Sequence, residues 1–353
     1  MTTLEEVARL AAVSPSTVSR ALARPDMVAQ ETRDRVLEAV RQTGYRPNAL
    51  ARSLRQQESR NLGLVITDLN PFHATLAKGV QDAAEQYDLN VILFTSDESE
   101  RKERRALETL RSHMPQGLIL IPTAHTRGHQ ALLQGLPVVE LDRVSGISEV
   151  HSVQVDNVGS ARSAVQHLIE LGHRRIGGIF GHQTVSTATG RLQGYQDALR
   201  EAMIPFDPAL VQFGDYREAS GHEAALHLLS LPANIRPTAL FVSSHEMTVG
   251  AVLAMRELGV RIPHDVSVVG FDDSRLMQIL EPPMTVIAQP TYDLGQTACH
   301  TLVSLVRRRA KASTVGAATE SGKKVLLPAP LIVRRSTSPP RNVTILPSLK
   351  LQT

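Results

Sequence analysis

Residues 7–20 read Val-Ala-Arg-Leu-Ala-Ala-Val-Ser-Pro-Ser-Thr-Val-Ser-Arg, and residues 45–55 read Tyr-Arg-Pro-Asn-Ala-Leu-Ala-Arg-Ser-Leu-Arg. Just upstream, Thr3 and Glu6 have the T-x-x-E spacing of a capping box, in which two orphan N–H groups at a helix start are satisfied reciprocally. Leu4, Val7, Ala8 and Ala11 then recur on one helical face. After a break at Ala12-Val13, Ser14 is a second N-cap, and Pro15 takes the first helical position, where its missing N–H costs nothing. Val18 and Leu22 face inward. A third helix is expected from about Gln30 to Thr43, with Val36, Leu37 and Val40 as its apolar stripe and Gly44 as its C-cap. The pattern predicts three short helices sharing one small core, built around a helix-turn-helix.

The second of these helices leaves Ser16, Thr17, Ser19 and Arg20 on its outer face. Hydroxyls near a helix N-terminus can hold phosphates, and an arginine one turn later can form a bidentate pair with guanine. The partner this chemistry fits is double-stranded DNA. Asn48 can cap a further helix over residues 49–56, too short to be stable alone in water. Its apolar members, Leu50 and Leu54, have no obvious core, and Leu54 is flanked by Arg52 and Arg55. Such a helix gains its stability if it folds against a minor groove and wedges leucine between base steps.

The charge distribution agrees. The 353 residues carry 38 Lys+Arg against 35 Asp+Glu, a formal net charge of +3. Residues 1–60 hold ten arginines and no lysine against seven carboxylates, and the remainder holds 28 of each sign. All the net positive charge therefore lies in the proposed DNA-binding module. No apolar run approaches the roughly 18 residues of a membrane span, and no charged-then-apolar leader follows Met1. A cytoplasmic location is expected. The lone Cys299 permits no internal disulfide and reads as an ordinary buried thiol in a reducing compartment.

From Asn61 onward strands and helices alternate. Leu62–Ile66, Val91–Phe94, Gly117–Ile121 and Val138–Leu141 read as strands of a first series, with helices near 74–87 and 99–113. Ile176–Phe180, Ala239–Val242 and Val266–Gly270 read as strands of a second, with helices near 159–171, 190–203, 217–230 and 247–258. Buried parallel strands with helical crossovers make two doubly wound α/β subdomains. Ligands of such sheets bind outside the carboxyl ends of the strands, so the polar residues there are the candidates. They include Asn70 and Phe72 after the first strand, Asp142 and Arg143 after the fourth, Arg191, Tyr216, and Asp272. Arg191 and Asp272 are the preferred pair, because a guanidinium facing a carboxylate across a cleft can grip several hydroxyls of a polyol.

With both halves read, the chain resembles the lactose-repressor (LacI/GalR) family of bacterial transcription regulators from Thr3 to about Pro340. The resemblance implies a small all-α helix-turn-helix headpiece with a hinge helix, followed by a two-subdomain α/β core of the periplasmic-binding-protein type, with parallel doubly wound sheets. It implies a homodimer on a pseudo-palindromic operator, controlled by a small-molecule effector, most simply a carbohydrate, and needing neither cofactor nor metal. By position, Pro15, Ser16, Arg20 and Leu54 fall on base contacts. Ser14, Thr17, Ser19, Asn48, Arg52 and Arg55 fall on phosphate contacts. Ser244, His245 and Gln289 join Asn70, Phe72, Asp142, Arg143, Arg191, Tyr216 and Asp272 as effector contacts. The implied domains are 1–47, a hinge at 48–60, a core at 61–335 and a tail at 336–353. Within the core, 61–158 and 287–318 form one subdomain, and 159–286 and 319–335 the other.

The chain departs from the family pattern at several positions. Pro15 can read a base only by apolar contact, Ala23 stands where Asn is frequent, and Ala29 replaces a serine cap of the third helix. Ser244-His245 replaces Asn-Asp, which opens sugar phosphates or small acids as effectors beside neutral sugars. A secreted sugar-binding protein would leave the helix-turn-helix without a purpose. A sugar-converting enzyme would require a nucleophile–base pair, a metal cluster or a phosphate loop, and the sequence has no HExxH, GxSxG or GxxxxGK[ST]. Arg307-Arg308-Arg309 with Lys311 leads into a small-residue polar insertion at about 310–324, read as a solvated loop. The tail contains Pro339, Pro340 and Pro347 without heptads, and does not support a tetramerising coiled coil.

Overall fold

The computed structural model describes residues 3–45, 59–312 and 322–341. The chain divides into two compact units, Met1–Ser59 and Arg60–Thr353. The hinge residues Asn48, Leu50, Arg52, Leu54 and Arg55, residues 313–321 of the insertion, and the tail beyond 341 lie outside the described residues.

In the first unit, helix α1 (Leu4–Leu10) opens with the expected capping box. The Glu6 N–H donates to Thr3 Oγ1 at 3.3 Å, and the Thr3 N–H donates to Glu6 Oε2 at 3.0 Å. Ala12, at φ 53°, turns the chain toward helix α2 (Pro15–Ala23), which Ser14 caps. Helix α3 (Gln30–Thr43) ends at Gly44, whose φ of 63° is the left-handed conformation a glycine C-cap supplies without steric cost. Ala29 gives α3 no side-chain cap. Val7, Ala8, Ala11, Val18, Ala21, Val36 and Ala39 form the shared core. Leu37 is a correction to the expected stripe, being 39 % exposed. It lies about 100° around the helix from Val36, whereas Ala39 and Val40 lie within about 60° of it and face inward.

The second unit holds two six-stranded sheets. The first contains β1 (Asn61–Ile66), β2 (Asn90–Thr95), β3 (Gly117–Leu120), β4 (Val138–Leu141), β5 (His151–Val155) and β11 (Lys324–Leu327), in the order β11-β5-β4-β3-β1-β2. All its pairings are parallel. The second contains β6 (Ile176–Phe180), β7 (Val211–Phe213), β8 (Ala239–Val242), β9 (Ser267–Phe271), β10 (Thr285–Ile287) and β12 (Leu331–Ile332), in the order β12-β10-β9-β8-β6-β7. Only β12 runs antiparallel to its neighbour.

The strand Lys324–Leu327 corrects the expected division of the core. It pairs with His151–Val155 in the first sheet, although sequence grouped residues 319–335 with the second subdomain. The chain thus passes between the subdomains three times, after β5, after β10 and between β11 and β12. Helices cover both sheets. Pro71–Glu85 packs on Thr291–Ala312, Asn157–Glu170 on Ser186–Glu201, and Glu218–Leu229 on His245–Glu257. At the first of these crossings, a Cβ on Gly79 would stand 2.2 Å from the Tyr292 carbonyl oxygen, and one on Gly295 would stand 2.2 Å from that of Leu76. Only glycine on both helices permits so close an approach. Leu62, Leu64, Ile66, Val139, Val153 and Leu302 lie at the centre of one core, and Phe180, Phe241, Phe271 and Tyr195 at the centre of another. Among the described residues, no helix is long and apolar enough to cross a membrane.

Candidate functional site

Helix α2 presents a polar end. The Ser14 hydroxyl accepts the Thr17 N–H at 3.2 Å and pairs with the hydroxyls of Ser16 and Thr17 at 2.8 Å each. Ser14 is therefore engaged in the cap. Pro15, Ser16 and Arg20 are exposed, and Thr17 and Ser19 are half-buried. No carboxylate lies in the first turn of α2, so nothing there opposes an anion at the positive end of the helix dipole.

In the second unit, the carboxyl ends of both sheets open onto a cleft of about 530 Å³. Its lining includes all ten residues singled out from the sequence: Asn70, Phe72, Asp142, Arg143, Arg191, Tyr216, Ser244, His245, Asp272 and Gln289. Three of them follow strands in the left-handed region, Asp142 at φ 65°, Tyr216 at φ 66° and Asp272 at φ 72°. For a tyrosine this conformation is costly, and the surroundings hold it. A Cβ on Gly181 would stand 2.1 Å from Tyr216 Cζ, so the missing side chain at 181 is what admits the ring. The Tyr216 hydroxyl pairs with Thr187 Oγ1 at 3.2 Å, and the Arg143 guanidinium lies over the ring at 5.2 Å.

The preferred pair is arranged differently from the sequence expectation. Arg191 does not pair with Asp272. It donates from Nε to Asn157 Oδ1 at 2.8 Å and from Nη1 to the Ser243 carbonyl at 2.7 Å, and its guanidinium stacks on Phe271 at 3.7 Å. Asp272 instead accepts from Gln289 Nε2 at 2.5 Å. Two fixed posts thus line one cleft. Asn70 and Ser244 hold their side chains as N-caps, accepting from the N–H groups of His73 and Met247. His245 bonds Ser274 Oγ through Nε2 at 2.7 Å and Glu246 through Nδ1 at 3.1 Å, so it is a fixed wall group.

The polar balance of the cleft is set by burial. Burial pushes the Asp142 carboxyl up from the usual range, against the pull of Arg191 and Arg143. Asp142 Oδ1, Arg143 Nε and Gln289 Oε1 are buried without a hydrogen-bond partner among the described residues. At Asp68, burial pushes the pKa up, but the His73 bond at 2.8 Å and the Asn70 N–H outweigh it and the net shift is downward. Burial raises the Tyr216 phenol, which stays protonated. Sequence reasoning missed His73, Asp97, Glu98, Lys102, His182 and Glu246 on the wall. Asp97, Glu98 and His182 also follow strand ends and obey the rule that found the others. Among the described residues, no group of His, Cys, Asp and Glu is arranged to hold a metal ion.

Comparison with known proteins bears on both units. Residues 3–48 match the family model for bacterial regulatory proteins, lacI family, and residues 165–337 match that for the periplasmic binding protein-like domain. The chain is 34 % identical over 340 residues to the transcriptional repressor CytR of Escherichia coli K12, covering 95 % of this chain and 96 % of that one. It is similar to the structure of the Lac repressor dimer bound to operator and the anti-inducer ONPF, with TM-score 0.82, 29 % identity and coverage of 96 % and 99 %. It is also similar to a complex of the transcriptional regulator CelR with cellobiose, with TM-score 0.71, 33 % identity and coverage of 95 % and 100 %. A capped helix-turn-helix, two parallel sheets opening on one polar cleft, and this end-to-end likeness agree: the chain belongs to the lacI family of bacterial regulatory proteins.

Proposed function

We propose that the protein is a ligand-controlled repressor that binds an inverted repeat on duplex DNA as a homodimer and releases or grips it according to the occupancy of the cleft. Pro15, Ser16 and Arg20 are the base-reading residues, Thr17 and Ser19 hold phosphates, and Leu54 with Asn48, Arg52 and Arg55 acts in the minor groove. Ser14 contributes through the cap.

One observation carries the effector assignment. The cleft offers buried acceptors without donors, Asp142 Oδ1 and Gln289 Oε1, alongside Asp272 and Glu246. Of the basic groups there, Arg143 bonds Glu98 at 2.6 Å and Lys102 pairs with Asp97, while Arg191, held by Asn157 and Ser243, keeps its charge. The seven carboxylates Asp68, Asp97, Glu98, Asp142, Asp215, Glu246 and Asp272 outnumber the four Lys and Arg side chains of the lining. Such a lining suits hydroxyl donors and repels phosphate or carboxylate. The effector is a neutral polyhydroxyl compound, in keeping with the cellobiose held by CelR. Sugar phosphates and small acids fit less well. The site is read as one for binding, since its lining is a set of polar side chains around a preformed cleft.

A ligand that bridges groups on both sheets stabilises the closed arrangement and bends the three connecting segments. A coupling of about 1–3 kcal/mol changes operator affinity roughly 5- to 150-fold. Thermal unfolding across neutral mono- and disaccharides, their phosphates and small acids tests the assignment, because a ligand of the native state raises the midpoint. Stabilisation by neutral sugars alone supports it. Stabilisation by phosphates or acids alone overturns it.

A further inference from the structure

The first connection between the subdomains runs from Val155, the last residue of β5, through Asp156 to Asn157, the first residue of the helix Asn157–Glu170. Asn157 is buried and set back from the cleft lining. Its side chain is bonded at both ends. Nδ2 donates to the Val155 carbonyl at 3.3 Å, and Oδ1 accepts from Arg191 Nε at 2.8 Å. One side chain thus reaches from the first sheet, across the connection, to a guanidinium that faces the cleft from the second subdomain.

A guanidinium has only donors to offer, and a backbone carbonyl only accepts. A side chain standing between the two must present an acceptor to one and a donor to the other, which the amide of asparagine does. Aspartate could serve the arginine but not the carbonyl, and alanine could serve neither. Packing fixes the distance between these groups. A Cβ on Gly194, three residues beyond Arg191, would stand 2.2 Å from the Val158 carbonyl oxygen, so the helix Ser186–Glu201 lies directly on the start of the helix Asn157–Glu170.

The other two connections join the same framework. Gln289, two residues beyond β10, donates to Asp272 at 2.5 Å. The Ala288 N–H donates to the Pro330 carbonyl at 2.9 Å and ties the second connection to the third. Ser160 Oγ, one turn along from Asn157, donates to the Ala329 carbonyl of that third connection at 3.3 Å.

We propose that Asn157 is a positioning residue for the effector site: it aims the Arg191 guanidinium into the cleft and passes the pull of a bound effector to the first connection between the subdomains. With Nε on Asn157, Nη1 on the Ser243 carbonyl and one face on Phe271, the guanidinium is fixed in rotation, and Nη2 is the group it keeps for a ligand. A ligand shifts an equilibrium between two arrangements only by what it gains in one over the other. A guanidinium free to swing would follow the ligand and leave the connection where it was. The proposal rests on the reading of the cleft as an effector site.

The test uses the full chain, with D-glucose, D-ribose, sucrose, cellobiose and D-glucose 6-phosphate as probes. The compound that most raises the wild-type unfolding midpoint is titrated into wild type, Asn157→Ala and Asn157→Asp. Operator affinity is then measured with and without it, on an inverted repeat selected from random duplexes. Asn157→Ala is expected to bind the compound about 10-fold more weakly. Asn157→Asp keeps the acceptor for Arg191 and should bind within about threefold of wild type. Its bond to Val155 is gone, so the change in operator affinity produced by the saturating compound should shrink by about half on a logarithmic scale. Wild-type binding by Asn157→Ala would overturn the proposal, and so would equal losses in the two variants, the result a packing role predicts. An undiminished change in Asn157→Asp would overturn the link to the connection. If only the phosphate stabilises the wild type, the neutral-sugar reading falls, and the variants compared with that phosphate still decide the role of Asn157. If no probe does, the effector reading falls and the proposal with it.

Discussion

The guanidinium of Arg191 lies 3.7 Å from the centroid of the Phe271 ring, clamped there by Asn157 on one side and the Ser243 carbonyl on the other. Phe271 is the last residue of β9, so the stack ties the arginine to the strand end that also presents Asp272. Stacking and two directed hydrogen bonds need a planar fork, which lysine lacks. Arg191→Lys is therefore expected to lose most of the neutral-sugar affinity, roughly 10-fold or more, much as Arg191→Ala does, while DNA affinity without ligand changes little. Titration of the best-stabilising sugar measures this, and wild-type affinity in both variants removes Arg191 from the site.

Gly181→Ala should act through Tyr216. The new methyl group would overlap the phenol ring, and β6 is buried on both sides and cannot yield, so the ring leaves its place. The expected result is weakened ligand binding with a destabilisation of about 1–3 kcal/mol. An added Tyr216→Ala should relieve the stability loss without restoring binding. If the double variant is no more stable than Gly181→Ala, the close contact is not the cause.

Glu140 predicts a pH signature. Burial raises its pKa from 4.5 to about 6, against the opposing pull of Ser145. The folded protein thus holds this proton more tightly than the unfolded chain. The contribution is intact below about pH 4.5, is lost as pH rises toward 6, and levels off at a cost of about 2 kcal/mol. Glu140→Gln removes that titration. The stability difference between variant and wild type should shift in the variant's favour between pH 4.5 and 6, and a constant difference would refute the assignment.

Burial pushes the Cys299 thiol up to about 12. The thiolate is the reactive form, so the folded protein should resist a thiol reagent at neutral pH and react fully only in denaturant. Rapid labelling under native conditions would contradict this.

Arg20→Ala should cost about 1–3 kcal/mol and relax preference at one base pair per half-site, whereas Thr17→Ala should weaken all sequences alike. Selected-site sequencing with each variant separates the two. Uniform weakening by Arg20→Ala would move that residue to the phosphate backbone.

The local code of this chain determined much by itself. The Thr3–Glu6 capping box, the Ser14-Pro15 helix start and the Gly44 stop each depend on neighbours within a few residues, so their spacing is enough. The strand-end rule found Asn70, Phe72, Asp142, Arg143, Arg191, Tyr216 and Asp272 on the cleft wall because parallel strands deliver their carboxyl ends to one edge whatever the packing beneath, and the family resemblance added Ser244, His245 and Gln289. Short strands rich in polar residues, such as His151-Ser152-Val153-Gln154-Val155, carry no apolar run to announce them, and their burial comes from neighbours distant in sequence. Which sheet takes Lys324–Leu327 is likewise a choice between two available strand edges, settled by pairing with His151–Val155. The same holds for Arg191 and Asp272. Sequence could place both on the cleft, but the tertiary structure gave the guanidinium Phe271, Asn157 and Ser243, and the carboxylate Gln289, because partners for a buried charge are chosen by three-dimensional proximity, which residue type and spacing do not encode.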